Sequence, residues 1–157
     1  MNKIRKWAPI LVLILLAPLL GAAKCEEGGG GAGRKQECNL VESQPPKWVA
    51  GRGKGLISAS VRAYCDPRPK SHVTTVWLER EGSDGKSFFQ VGQAAEYDKT
   101  SDVPPPGGRD YAVTIGCSDG NWRVRANAVG ASSDGIPFNF TLPASDAHIA
   151  VIRCRLQ

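Results

Sequence analysis

From Leu56 the chain alternates. In LISASVRAYC, residues Ile57, Ala59, Val61, Ala63 and Cys65 share one face, and Ser58, Ser60 and Arg62 share the other. A period of two with one apolar side predicts a strand covered on that side only. YAVTIGC (111–117) repeats the pattern with Tyr111, Val113, Ile115 and Cys117. NWRVRANAV (121–129) sets Trp122, Val124, Ala126 and Ala128 against Arg123, Arg125 and Asn127. The intervening Ser118-Asp119-Gly120 predicts a hairpin between these two runs.

Weaker strands surround this frame. Residues 72–79 and 86–92 flank a turn at Ser83-Asp84-Gly85, and 137–142 aligns Phe138, Phe140 and Leu142 on one side. Residues 147–154 are apolar on both faces as far as Ile152, which predicts a central strand. Beyond residue 23, no run shows sustained apolar residues at helical spacing. Seven strands at short intervals, eight with one around Trp48, predict an all-β fold. The expected architecture is a small, disulfide-bonded antiparallel β-sandwich over 47–157.

The first 23 residues have a different character. A basic start with Lys3, Arg5 and Lys6 leads into APILVLILLAPLL and then the small residues Gly21, Ala22 and Ala23. That order predicts a secretory signal peptide over 1–23. Its apolar run falls short of the roughly 20 residues needed to cross a bilayer. An uncleaved signal acting as an anchor is the alternative. Residues 24–46, with GGGGAG and later Pro45-Pro46, predict a flexible Gly/Pro-rich tether. Removing the leader lowers 20 Lys+Arg to 17 against 15 Asp+Glu, so the +5 of the whole chain becomes +2. No basic cluster stands out, which argues against a nucleic-acid partner.

All five cysteines follow the expected cut. In an exported chain, disulfides are the default state of Cys38, Cys65, Cys117 and Cys154. Metal-like spacings such as C-x-x-C are missing, and no cofactor motif occurs. Cys65 and Cys117 each end an apolar face, with Trp77 on the strand between them. This Cys…Trp…Cys order, from about Ala59 to Cys117, loosely resembles immunoglobulin-like sandwiches. In those domains a tryptophan packs on an inter-sheet disulfide, and a tyrosine stands two residues before the second cysteine, where Ile115 stands here. The expected pairing is therefore Cys65 with Cys117 and Cys38 with Cys154. Cys117 with Cys154 is the alternative if the last strand neighbours the run at 111–117. Cys25 is left over. It is either a lipidation site or a thiol, free or paired with Cys38 or another chain. Ala22 and Lys24 depart from the bacterial lipoprotein signature, which wants a large aliphatic and a small residue at those positions, and so favour the thiol.

Chemistry-bearing residues are sparse. His72 and His148 both fall inside expected strands, and no nucleophile elbow, zinc-protease motif or phosphate-cradling loop is present. The recurrent Ser-Asp pairs fall in turns, where such side chains bond their own backbone. If successive strands reverse direction, Asp84, Asp119 and Asp146 gather at one end. The longer loops, 66–71, 93–110 and 130–136, gather at the other. Asp66, Arg68, Lys70, Arg109 and Asp110 are the candidate contacts there, because long loops on a rigid sheet carry recognition. The expectation is a secreted or cell-surface, non-catalytic binding or adhesion domain without cofactor or metal. Its expected partner is an extracellular or cell-envelope protein, and membrane contact would come only through an N-terminal lipid or uncleaved signal. A carbohydrate-binding module using Trp48 or Trp122 is the alternative. An enzyme pairing His72 with Asp66 or Asp110 is the third reading.

Overall fold

The alternating runs become strands whose apolar sides meet. β1 (Glu37–Val49), β2 (Leu56–Asp66) and β5 (Arg109–Gly116) form one sheet in the order β1-β2-β5. β3 (Ser71–Glu81), β4 (Phe88–Tyr97), β6 (Gly120–Ala131) and β7 (Pro137–Thr141) form the other, in the order β4-β3-β6-β7. The short β8 (Ala150–Ile152) also pairs with β6. All pairings are antiparallel. The computed structural model describes residues 37–98, 104 and 107–155. The expected leader, Cys25 and the glycine run lie outside the described residues.

The core is the space between β2 and β6 and their neighbours. Ile57, Ala59, Val61 and Ala63 of β2 are fully buried, as are Trp122, Val124, Ala126 and Ala128 of β6. Alanines on both sides let the two sheets approach. Tyr111, Leu78 and Leu142 fill the wider parts between them. Polar side chains of the same strands turn to water, so one pattern specifies both the buried and the wetted face of each sheet.

The run at 111–117 and the run at 121–129 do not form the expected hairpin. β5 pairs with β2, and β6 pairs with β3 in the opposite sheet. The short connection therefore crosses from one sheet to the other, and the two apolar faces meet across the core instead of lying side by side. Alternation alone reads the same in either arrangement. The turn at 83–85 does join paired strands, β3 and β4.

Three other expectations are corrected. First, Glu37–Val49 is a strand, so residues 37–46 belong to the sandwich and not to a tether. Its register with β2 slips on either side of Gln44, and the second slip carries Pro45 and Pro46 past without a ladder partner. An edge strand tolerates such prolines because one side of it needs no partner. Second, β4 continues through a bulge at 92–94 to Tyr97, which shortens the loop expected from Gln93. Gly92 takes φ +74° there, a conformation that favours glycine. Third, residues 147–154 do not form a central strand. β8 lies at an edge, where Ala147 and Ile152 close the core while Val151 remains 66% exposed.

The sulfurs pair as Cys38–Cys65 and Cys117–Cys154. Cys38 stands directly opposite Cys65 in the β1–β2 register. Cys65 cannot reach Cys117, because Gly116 pairs with Leu56 at the far end of β2. Nine residues of strand place them roughly 30 Å apart. Two antiparallel neighbours that each end in cysteine put their sulfurs at opposite ends. Trp77 likewise faces outward, where its Nε1–H donates to Glu79 Oε1 at 3.0 Å.

Each bridge closes a long loop, with separations of 27 and 37 residues. Loop-closure entropy makes each worth about 3–4 kcal/mol. A non-reducing peptide map should link Cys38 with Cys65 and Cys117 with Cys154. Replacing Cys117 and Cys154 together by serine should cost about 3 kcal/mol in urea unfolding while leaving the first bridge intact.

Candidate functional site

Three connections start and finish at one end of the sandwich: 67–70 between β2 and β3, the one joining Tyr97 of β4 to Arg109 of β5, and 132–136 between β6 and β7. The strand directions bring them there, because β2, β4 and β6 end where β3, β5 and β7 begin. A hydrogen bond from Lys70 N–H to the Ala131 carbonyl, 3.0 Å, ties the first connection to the third. The third is closed on itself: Ser132 N–H donates to Ile136 O at 2.8 Å, Ile136 N–H donates to Ser132 Oγ at 2.9 Å, and the Ser132 hydroxyl donates to Asp134. Ile136, at the base of this turn beside β7, is 62% exposed.

The five candidate contacts do meet at this end, but they are not equivalent. Arg68 and Lys70 are exposed, whereas Asp66 and Arg109 are half-buried at strand ends. Asp110 is exposed yet engaged. Arg62 grips it with a two-pronged contact, Nε to Oδ1 at 3.2 Å and Nη2 to Oδ2 at 2.9 Å. The hydrogen bond from Arg62 holds the Asp110 carboxyl below its ordinary range, and the same bond raises the guanidinium. Both groups are about half exposed, so the fork orders the outer face of the three-stranded sheet more than it stabilises the fold.

Beneath the loops lies a polar side chain in an aromatic box. His72 is 2% exposed, with Tyr111, Phe138 and Phe140 rings at 6.3, 5.9 and 6.5 Å between centroids. Its Nδ1 shares a 2.9 Å hydrogen bond with Thr74 Oγ1, and its Nε2 has no partner among the described residues. Gly130 faces the same space, and a Cβ there would strike the Ser71 carbonyl and the Phe138 ring. Asp110 turns to the outer face while His72 turns inward, so the fold separates the two groups that an acid–base pair would have joined. The other histidine is at the surface. His148 Nδ1 meets Glu42 Oε1 at 2.5 Å, and its backbone N–H donates to Glu42 Oε2 at 3.1 Å. This contact anchors the segment before β8 to β1.

The turn aspartates serve the backbone. Asp84 accepts from the Lys86 and Ser87 N–H groups and from the Ser87 hydroxyl, and those bonds pull its pKa down to about 2. Asp119 accepts from Cys154 N–H at 2.7 Å. Among the described residues, no three His, Cys, Asp or Glu side chains are grouped to hold a metal.

The tryptophans separate clearly. Trp122 is fully buried and donates to Ser118 O at 3.0 Å, so it is core and not a platform. Trp48 is half-buried at the end opposite the loops. Its Nε1–H donates to Lys54 O at 2.9 Å, and the Arg155 guanidinium lies 5.8 Å from its ring centroid. Sequence reading singled out Trp48 but missed its neighbours Arg153 and Arg155. They stand more than 100 residues away, and only the strand order joins them to it.

No protein-family model matches the chain, and no curated protein matches it. Among solved structures it is similar to the "Putative ApaA Protein from Bordetella pertussis", at 14% identity and a TM-score of 0.41. The match covers 74% of this chain and 94% of that one. Likeness at that level assigns no activity.

Burial pushes the His72 imidazole down to about 4 from its ordinary 6.5. Between those values the unfolded chain binds the proton and the folded chain does not, so stability falls as pH drops from 6.5 to 4 and then levels. The size is about 2–3 kcal/mol between pH 7 and pH 4.5. His72→Leu should lose that part of the pH slope, measured by urea unfolding at the two pH values.

Proposed function

We propose that this chain is an exported, non-catalytic binding domain that recognises an extracellular or cell-envelope protein through its loop end. The observation that carries the reading is the position of 67–70 and 132–136, beside the end of β4 and the start of β5, on a rigid two-sheet body. Such an arrangement leaves loop side chains free to vary while the sheets hold their positions. The two disulfides suit an oxidising compartment outside the cytoplasm. The isolation of His72 from Asp110, and its burial among aromatic rings, supports a binding role over acid–base catalysis.

Exposed Arg68, Lys70 and Ile136 are the side chains best presented by this end. A photo-crosslinking residue at position 70 should capture one envelope protein from the producing cell. The same group at Lys86, in the turn at the opposite end, should not. Equal capture from both positions, or none from position 70, would contradict a loop-end partner.

A further inference from the structure

The end opposite the loops carries a second surface, independent of the loop-end reading. β1 is one edge of the three-stranded sheet, and β8 lies at an edge of the five-stranded sheet. Where these edges face each other they leave an open groove of about 480 Å³. Pro46, Lys47 and Trp48 form one wall, and Ala150–Ile152 with Arg153 and Arg155 form the other. Three cations line it, and none of its lining residues among the described ones is acidic.

The indole is held in place as part of this wall. Its N–H is bonded to Lys54 O. Gly55 lies against it at φ +81°, where any Cβ would collide with the indole nitrogen. Arg155 sits over the ring near the roughly 6 Å limit of a cation–π contact. That guanidinium is exposed, and turning it onto an incoming anion would leave the ring face to an apolar surface.

A ligand for this groove should therefore be extended, anionic at intervals and able to stack on an indole. An acidic peptide adding itself as a strand meets little main chain to pair with. Pro45 and Pro46 have no N–H, and β8 is only three residues long. A pyranose chain needs no such ladder. Its C–H face suits an aromatic ring, and its acidic groups suit lysine and arginine. We propose that the groove between β1 and β8 binds a linear acidic polysaccharide, with Trp48 stacking on a sugar ring and Lys47, Arg153 and Arg155 holding its carboxylate or sulfate groups.

The test is a tryptophan-fluorescence titration of the oxidised full-length chain with polygalacturonate and dextran sulfate, against neutral dextran and polyglutamate. Polygalacturonate or dextran sulfate should bind at least tenfold more tightly than either comparator, and more weakly as salt rises. Trp48→Ala and Arg153→Glu should each weaken binding at least tenfold, both read by calorimetry on chains that keep the wild-type melting temperature. Lys70→Glu, at the other end, should leave sugar binding unchanged, which separates this site from the loop-end reading. Absence of binding to both acidic polymers would overturn the proposal. So would equal binding of polyglutamate, or binding that survives both groove variants.

Discussion

The structure depends on two strands facing each other across the core. β2 and β6 each sit between neighbours in their own sheet, and every inward side chain from Ile57 to Ala63 and from Trp122 to Ala128 is fully buried. Burial of apolar area is the main favourable term in folding, and these two strands supply its centre. The alanines matter as much as the large residues. Ala59, Ala63, Ala126 and Ala128 set how closely the sheets approach, and Trp122 and Tyr111 fill the spaces that remain.

Around that centre the chain closes its ends by covalent and polar ties. Cys38–Cys65 fastens the first strand to β2 beside the loops, while Cys117–Cys154 fastens the sheet-to-sheet crossing to the segment after β8. Trp122 reaches from the core to bond Ser118 in that crossing, and Asp119 receives the Cys154 N–H. On the outer face of the five-stranded sheet, Arg123 pairs with Glu79 at 2.7 Å and lies over the Phe88 ring at 4.1 Å. The open edge of β5 is met by Tyr97, whose hydroxyl donates to the Ala112 carbonyl. Such a cover over unpaired backbone is one way a sandwich avoids joining its edge to another chain.

Much of this was legible in the residues. The faces of β2, β5 and β6 followed from a period of two, and the grouping of the long loops followed from strand reversal. What failed was information that alternation does not carry. A strand's face does not reveal which sheet it joins, so the run ending at Cys117 reads as lying beside its successor, where the structure sets it across the core. The bridge pairing eludes the alternation for the same reason. Counting strand ends would have shown that Cys65 and Cys117 point to opposite poles if their strands are neighbours. Pro45-Pro46 concealed β1, because prolines argue against a strand except at an edge. Trp48 could be named, but its cationic companions come from the other end of the chain and leave no local trace.

The two poles therefore hang from one scaffold: loops at one, a cationic groove with an indole at the other. Both rest on β2 and β6 remaining sealed face to face. Native-state amide hydrogen exchange tests that claim most directly. The slowest amides should lie in the middles of β2, β3 and β6, with β1, β4 and β7 exchanging earlier. Slow exchange concentrated in β1 or β4, with β2 and β6 opening first, would contradict it.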